Sequence, residues 1–524
     1  MTAPWWRSAV FYQIYPRSFQ DGNGDGVGDL GGAAARLPYL AELGVDAVWL
    51  SPFYPSPMRD FGYDVTDYRG VDPLFGTLAD FDDFVARAHA LGLRVVVDFV
   101  PNHTSDEHPW FVRSRARADD EFARWYVWAD AARDGGPPNN WRSVTGGSAW
   151  SFDRRRGQYF LHSFLPFQPD LNLSHPPVLA ALHEAMRFWL DRGVDGLRVD
   201  MIDFLAKDPA LRDEPDAGYR FADAVHHLNR PELRPILRSL MGVLDEYDGR
   251  VLVGEINPEL SVARQAAYHG ERSAPLMHLP FNFGLMRQPF DVEHLGAYLR
   301  EYDAAVPQHG WPNVTLGNHD VGRLATRIGP ESVALGAMLL LTVRGTPFLY
   351  YGDELGLEDV EIPQDRQRDP WASREPGRGR DPNRTPMPWR AGERHAGFSA
   401  SEPWLPIGER NAAKAVDSDP PGQPRDVLRV YRELLRLRRS SDALRHGDME
   451  IVDLHPALLA YVRRHPPTGE SLLVLLNFAP EPVSPTCTRG HGRVAFSTDE
   501  IGPADRGGVA VAPFGGAVLS RSDR

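Results

Sequence analysis

The sequence is poor in cysteine and in long apolar runs. Cys487 is the one cysteine among 524 residues, so no disulfide bond can form within the chain. A chain of this size without disulfides fits the reducing cytoplasm, and we expect a cytoplasmic protein. The N-terminus lacks the basic segment, apolar run and cleavage site of a signal peptide. No stretch approaches the ~18 apolar residues of a membrane-spanning helix, so no membrane span is expected.

Basic residues are also fewer than acidic residues. The chain has 57 lysine and arginine residues against 71 aspartate and glutamate residues, which gives a formal charge of −14. An acidic protein gains no electrostatic attraction to nucleic acid or to anionic lipid, so neither is an expected partner. A neutral ligand such as a sugar is compatible with this balance. For the oligomeric state, the sequence predicts only a monomer or a small homo-oligomer.

Eight short apolar runs recur along the chain, and each is nearly continuous in hydrophobicity rather than alternating. The runs are Val10–Tyr15, Ala47–Ser51, Val95–Val100, Gly196–Asp200, Val251–Glu255, Leu276–Phe281, Val314–Gly317 and Pro347–Tyr351. Strands that are buried on both faces of a parallel sheet have this composition. Eight strands that alternate with helices predict an α/β fold, a (β/α)8 TIM barrel. A doubly wound open sheet is the structural alternative.

Helical patterns lie between these runs. Thr77 and Asp80 have the spacing of a capping box at a helix N-terminus. Apolar stripes at helical spacing run from Leu179 to Trp189 and from Val427 to Leu435.

Two regions depart from the alternating pattern. We expect residues 1–103 and 176–442 to form the catalytic barrel and residues 104–175, which are rich in Trp, Pro, Gly and Asp, to form a small domain inserted after strand 3. Residues 443–524 contain short apolar runs and are expected to form a C-terminal antiparallel β domain of sandwich-like type.

Several predicted strands end in ionisable residues. Strand 4 ends at Asp200 and strand 5 at Glu255, while Asp320 follows strand 7 and His103 follows strand 3. Active sites of such barrels lie at the C-terminal ends of the strands. One carboxylate after an apolar run is more often a structural ion pair than a functional group. Several at one barrel mouth favour a catalytic site.

Glycoside hydrolysis needs this set of groups. One carboxylate attacks the anomeric carbon, and a second delivers a proton to the leaving oxygen and later activates water. Carboxylates ~5 Å apart at the ends of adjacent strands suit the retaining route. Arg198 lies two residues before Asp200, so both side chains face the same side of the strand. The charge of Arg198 is expected to keep Asp200 ionised, and the charge of Asp200 to raise the pKa of Glu255.

These segments together resemble the α-amylase superfamily, glycoside hydrolase family 13, in its oligo-1,6-glucosidase and α-glucosidase branch. The matching segments are Asp98-Phe-Val-Pro-Asn-His103, Gly196-Leu-Arg-Val-Asp200, Val253-Gly-Glu255, Asn318-His-Asp320, Gln168-Pro-Asp-Leu-Asn172 and Arg384-Thr-Pro-Met-Pro-Trp389. The resemblance implies Asp200 as nucleophile, Glu255 as acid/base, and Asp320 as the carboxylate that grips sugar hydroxyls.

The same resemblance implies the groups that bind the sugar. His103 and His319 would bind hydroxyls of the terminal glucose, and Tyr63 would stack beneath it. Asp60 and Arg384 would clamp its far end. A glucose whose O4 is held in this way cannot carry a further sugar there, so the site would be a blind pocket. The alternative is that Asp60 and Arg384 form only a surface ion pair.

A candidate cation loop follows the first strand. Asp21, Asn23, Asp25, Val27 and Asp29 place oxygen ligands at alternate positions, and Gly26 allows a sharp turn. The glutamate that would complete an EF-hand loop is missing. In the family, a similar loop holds Ca²⁺ or Mg²⁺, which implies a structural cation here. The alternative is a glycine-rich turn with no ion. No organic cofactor is expected, because transfer through two carboxylates requires none.

The function predicted from these features is an exo-acting retaining α-glucosidase that acts on disaccharides and short oligosaccharides, with some transglucosylation. Two alternatives remain: a trehalose synthase-type glucosyl isomerase or transferase, and a non-catalytic partner protein that kept the barrel. The linkage preference stays open. In this branch the residue after the nucleophile varies with linkage, and Met201 matches neither the valine of α-1,6 nor the threonine or alanine of α-1,4 enzymes.

Overall fold

Eight parallel strands form the core of the computed structural model, which describes residues 3–374, 377–418, 426–486, 488–499, 502–503 and 509–521. Cys487 lies outside the described residues. Each strand overlaps one of the predicted runs, so the predicted barrel is confirmed, although strand 6 is reduced to two residues. Strands 1 to 8 are Phe11–Ile14, Ala47–Leu50, Arg94–Phe99, Gly196–Val199, Val251–Gly254, Leu279–Pro280, Asn313–Thr315 and Thr346–Tyr350.

The eight strands pair in parallel in the order 6-5-4-3-2-1-8-7, so strands 6 and 7 are the two ends of the hydrogen-bonded ladder. Strand 1 pairs with strand 2 through Phe11 and Ala47, and with strand 8 through Phe11 and Phe348. The rings of Phe11 and Phe348 stack inside the barrel at 4.4 Å. Aromatic side chains therefore pack the barrel interior, and a ligand is expected to bind beyond the strand ends.

Helices cover the outside of the barrel. The longer ones are Leu30–Leu43, Leu78–Ala90, Pro176–Asp191, Leu233–Leu244, Val292–Ala305, Val333–Thr342 and Val427–Ser440. The shorter ones are Trp5–Ser8, Pro16–Phe19, Pro109–Ala116, Val262–Ala266, Phe283–Met286, Leu324–Ile328, Pro370–Arg374, Glu409–Ala412 and Asp442–His446. Among the described residues, none of the helices is both long and apolar enough to cross a bilayer.

The sequence signals for these helices are confirmed. Thr77 and Asp80 form a complete capping box, in which each side chain binds the backbone N–H of the other residue. The stripe that ends at Trp189 is the buried face of Pro176–Asp191, and the stripe from Val427 lies on Val427–Ser440.

The predicted insertion after strand 3 contains a three-stranded antiparallel sheet of Trp128–Ala129, Trp150–Asp153 and Gln158–Leu161. His103 and Asp170 form a bridge at the point where the insertion leaves strand 3. The insertion also packs on the loop that follows strand 4, because the indole Nε1 of Trp141 donates to the carbonyl of Arg212. These contacts place the insertion beside the barrel mouth.

The C-terminal region is an antiparallel sheet of five strands in the order Asp448–Val452, Leu458–His465, Glu470–Asn477, Gly516–Arg521 and His491–Ser497. Gly502–Pro503 and Val509–Ala510 form a separate two-stranded pair. The predicted C-terminal antiparallel β structure is confirmed. The sheet docks on the barrel, where the hydroxyls of Tyr461 and Thr342 bond at 2.5 Å.

Candidate active site

The carboxyl ends of the strands open into a cavity of about 710 Å³. Seven of the nine predicted catalytic and substrate-binding residues line it: Asp60, Tyr63, His103, Asp200, Glu255, His319 and Asp320. They come from separate loops and strand ends, and the parallel barrel brings them together because all its strands end on one side. Arg198 and Arg384, the other two, lie behind the cavity wall and are almost completely buried.

Arg198 connects the carboxyl groups of Asp200 and Glu255 from below. Its Nη1 donates to Asp200 at 3.0 Å and to Asp98, and its Nη2 contacts Glu255. The contact with Asp200 confirms that the two side chains face the same side of strand 4. A planar guanidinium with fixed donors holds both carboxyl groups in a defined orientation.

Burial dominates the protonation of this pair. It raises the pKa of Asp200 to about 7 and that of Glu255 to about 8, against the attraction of Arg198. The charge of Arg198 was expected to keep Asp200 ionised; it does lower the pKa of Asp200, but burial outweighs it. A hydrogen bond between the two carboxyl groups lowers the pKa of Asp200 and raises that of Glu255. The pair thus holds one proton mainly on Glu255 near neutral pH, as a nucleophile and an acid require.

The pH dependence of activity should reflect the ionisation of Asp200 and Glu255. We expect a bell-shaped pH profile of kcat/KM because Asp200 must be ionised and Glu255 protonated. Activity falls below about pH 7 as Asp200 gains a proton, and above about pH 8 as Glu255 loses one. Initial rates with 4-nitrophenyl α-glucoside across the pH range measure both limbs. A maximum below about pH 5, where ordinary carboxyl groups titrate, would contradict the assignment.

Asp320 differs from Asp200 and Glu255, because its pKa is lowered rather than raised. Burial alone would raise its pKa, but His319, Arg380 and Arg384 together hold that pKa below the usual range. The Nη2 of Arg384 lies 2.9 Å and the Nη1 of Arg380 lies 3.1 Å from one oxygen of Asp320. This carboxylate therefore stays ionised and can accept hydrogen bonds, but it has no proton to give.

The two predicted histidines differ in whether their ring nitrogens are hydrogen-bonded to the protein. His319 is held on both sides, with Nδ1 at 2.8 Å from Gln13 and Nε2 at 2.7 Å from the hydroxyl of Tyr63. Its ring stacks on that of Tyr63 at 5.5 Å. The Nε2 of His103 is buried and has no hydrogen-bond partner within the described part of the chain. Burial lowers the pKa of His103 to about 4, so the neutral ring presents that nitrogen to a ligand hydroxyl.

The predicted pair of Asp60 and Arg384 is wrong. Asp60 instead pairs with Arg380, whose Nη2 donates to it at 2.7 Å. Arg384 is fully buried, where it binds the carbonyl of His319 and supports Asp320. The two arginines are four residues apart, and the turn Asp381–Asn383 between them directs Arg380 to the cavity.

Three other residues that line the cavity were not predicted as site residues from the sequence. The Nε2 of Gln168, in the Gln168-Pro-Asp-Leu-Asn172 segment, donates to Asp60 at 2.9 Å, so the inserted domain helps to close this end of the cavity. The ring of Trp371 lies under Arg380 at 4.6 Å. Phe221, on the loop after strand 4, also lines the cavity. Only the motif around Gln168 gave a sequence signal, and its contact with Asp60 was not predicted.

Part of the cavity wall is apolar. It includes Val144, Met201 and Phe221, which are half-buried and pack on a cluster around Phe204. Met201, directly after the nucleophile, has a left-handed backbone with φ of 37°. Residues other than glycine seldom adopt this backbone conformation, and those that do are concentrated at functional sites. The turn at Met201 places this side chain next to Asp200 in the cavity wall.

The candidate cation loop is closed by its own carboxyl groups. Asp21 accepts hydrogen bonds from the N–H groups of Asn23, Gly24 and Gly26 and from the Ser399 hydroxyl. Asp29 accepts from three N–H groups and caps the helix Leu30–Leu43. Within the described ranges no three His, Cys, Asp or Glu side chains are grouped to hold a metal. A cation here would therefore also need the Asn23 amide and the Val27 carbonyl, which are oxygen donors suited to Ca²⁺.

Comparison with known proteins agrees with this geometry. The family model for the α-amylase catalytic domain matches residues 13–447. A probable α-glucosidase of Rhizobium meliloti is 43% identical, with 91% of this chain and 90% of that protein covered. An oligo-1,6-glucosidase of Heyndrickxia coagulans is 37% identical, with 92% of this chain and 93% of that protein covered.

A solved structure is similar over nearly the whole length. The crystal structure of the α-glucosyl transfer enzyme XgtA has a TM-score of 0.92 and 41% identity, with 99% of this chain and 100% of that chain covered. Relatives therefore include both hydrolases and a transferase. With this site and these matches, the chain belongs to the α-amylase family, glycoside hydrolase family 13, as an α-glucoside hydrolase or transglucosylase of the α-glucosidase and oligo-1,6-glucosidase branch.

Proposed function

We propose that this protein is an exo-acting retaining α-glucosidase, which releases terminal α-linked glucose from disaccharides and short oligosaccharides and transfers part of it to other acceptors. The observation that carries the proposal is the closed end of the cavity. Asp60, Arg380 and Gln168 come from three different loops and meet there through hydrogen bonds of 2.7 and 2.9 Å. With the O4 of the terminal glucose bound at these residues, their contacts would fill the space that a further sugar would need.

The chemistry follows from the protonation of the carboxyl groups. Asp200 attacks the anomeric carbon as the glycosidic bond breaks, and Glu255 transfers its proton to the leaving oxygen. The glucosyl group is then bound covalently to Asp200, and Glu255 is ionised. Glu255 takes a proton from water, which attacks the same carbon and releases glucose with its configuration retained. Asp320, which stays ionised, stabilises the positive charge that develops on the sugar.

The dependence of activity on substrate length tests whether the pocket is closed at this end. We expect specificity (kcat/KM) to be high for maltose and maltotriose, to fall with longer maltodextrins, and to be at least about tenfold lower for soluble starch. Product sizes followed over time should show glucose first. Rapid loss of starch viscosity, or mid-sized oligosaccharides as first products, would indicate an open cleft. Initial rates on isomaltose, sucrose and trehalose in the same experiment give the linkage preference.

Glucosyl transfer or isomerisation is the second candidate function. The half-buried wall of Val144, Met201 and Phe221 favours it, because such a surface can exclude water and hold an acceptor next to the glucosyl group. Product analysis from maltose separates the two: a hydrolase gives glucose, whereas a trehalose synthase-type isomerase gives trehalose. The non-catalytic alternative does not fit a cavity in which all three carboxylates meet.

We also propose that the loop from Asp21 to Asp29 holds a structural Ca²⁺ or Mg²⁺ ion. The ion would take no part in the reaction, because the loop lies outside the catalytic cavity. An ion bound only to the folded state adds stability by linkage. Chelation should therefore lower the melting temperature by about 2 °C or more and leave activity at low temperature intact. An unchanged melting temperature, with no ion by elemental analysis, would show that the loop is only a turn.

A further inference from the structure

One buried carboxylate next to the cavity has no part in the chemistry above. Asp369 lies just before the helix Pro370–Arg374, in the long segment after strand 8, and its side chain is completely buried. A buried carboxylate costs stability unless it is ionised and well bonded. Its partners therefore indicate what it does.

Asp369 binds Arg380 at three points. Its Oδ2 accepts from the backbone N–H of Arg380 at 2.6 Å and from Nε at 2.9 Å, and its Oδ1 accepts from Nη2 at 2.8 Å. Two parallel bonds from one edge of a guanidinium to a carboxylate are the strongest and most directional pairing available to arginine. The third bond fixes the backbone from which the side chain extends.

The same carboxylate also sets the surface beneath Arg380. Oδ1 of Asp369 accepts from the backbone N–H of Trp371 at 3.2 Å, and the ring of Trp371 lies 4.6 Å from the guanidinium carbon. Arg380 is therefore held at one edge by Asp369 and on one face by Trp371. Its remaining donors point to Asp60 and Asp320, both of which line the cavity.

We propose that Asp369 is a positioning residue, which fixes Arg380 so that its guanidinium faces the far hydroxyl of the terminal glucose. The proposal rests on the function proposed above, because it takes the closed end as the binding site of that glucose. Without Asp369, the carboxylates left in contact with Arg380 within the described part of the chain would be Asp60 and Asp320, both on the cavity side. Their attraction would then no longer be balanced by the bonds from Asp369. The guanidinium would then rotate, and a shift of about 1 Å is enough to cost on the order of 100-fold in rate.

The experiment compares 4-nitrophenyl α-glucoside with its 4-deoxy counterpart. The wild-type enzyme should prefer the 4-hydroxy substrate by at least about 100-fold in kcat/KM, because the 4-deoxy substrate cannot form charge-assisted hydrogen bonds with Asp60 and Arg380. Asp369→Asn should lower kcat/KM for the 4-hydroxy substrate by on the order of 10- to 100-fold and change the 4-deoxy rate little. The ratio of kcat/KM for the 4-hydroxy substrate to that for the 4-deoxy substrate should therefore be smaller in the variant than in the wild type. Asp365→Asn, at an exposed carboxylate in the same segment, is the matched control and should keep the full preference.

The outcomes separate two failures. If the wild type shows no preference for the 4-hydroxyl, the closed-pocket function itself is wrong. If the wild type shows the preference and folded Asp369→Asn keeps it, or loses both rates equally, then Asp369 is not a positioning residue for Arg380. Thermal unfolding reports whether the variant is folded. Should Asp369→Asn not fold, Asp369→Glu retains the charge at an altered distance and should show an intermediate preference; a full preference there overturns the proposal.

Discussion

Asp200→Asn is expected to keep its fold and to lose about four to six orders of magnitude in kcat, as replaced nucleophiles do. The amide is the same size as the carboxylate and can still accept a hydrogen bond from the Nη1 of Arg198 at 3.0 Å. It cannot form the covalent ester, so the retaining route is closed. The measurement is kcat on maltose together with a thermal unfolding curve.

Two controls make this result specific. Asp216→Asn, at an exposed carboxylate in the loop after strand 4, should retain wild-type activity. Mass spectrometry of the variant should exclude deamidation back to aspartate. Retention of a tenth of wild-type activity in protein free of deamidation would contradict the assignment of Asp200 as nucleophile.

Glu255→Gln is expected to have an effect that depends on the leaving group. Glutamine cannot donate a proton, so hydrolysis of maltose should fall by about 10²- to 10⁴-fold. Release of 4-nitrophenolate needs no proton, so the first step on the aryl glucoside should slow much less. The second step still lacks its base, and the glucosyl-enzyme should accumulate as a burst of 4-nitrophenolate.

Added azide provides the matching check on Glu255→Gln. Azide is a nucleophile that needs no general base, so it should attack the glucosyl-enzyme and restore turnover of the aryl glucoside, with α-glucosyl azide as product. Glu271→Gln, at an exposed position, should behave as the wild type. Equal losses on maltose and on the aryl glucoside, with no response to azide, would mean that Glu255 is not the acid/base.

The fold was predictable because its signals are local and repeated. Runs such as Val95–Val100 are buried on both faces, and Asp200 and Glu255 directly follow two such strands. The carboxyl ends of parallel strands lie on one side of a barrel. Residues at these ends are therefore close together whatever conformation the loops adopt. This is why seven of the nine catalytic and substrate-binding residues line one cavity.

Loop geometry was not predictable in the same way. Arg380 and Arg384 stand in one segment, and only the turn Asp381–Asn383 decides which of them reaches Asp60. The pKa of Asp200 was also misjudged, because the sequence shows its neighbour Arg198 but not its burial. Short edge strands such as Asp448–Val452 carry mixed residues and depend on their neighbours for pairing.

The most direct test of a retaining mechanism through Asp200 is to trap the covalent intermediate. 5-Fluoro-α-glucosyl fluoride forms the ester readily, since fluoride leaves easily, but its fluorinated ring slows hydrolysis. We predict inactivation with one glucosyl label per chain, located by peptide mass spectrometry on Asp200, and α-glucose as the first anomer released from maltose by proton NMR. A label on another residue, or β-glucose as the first product, would contradict a retaining mechanism through Asp200.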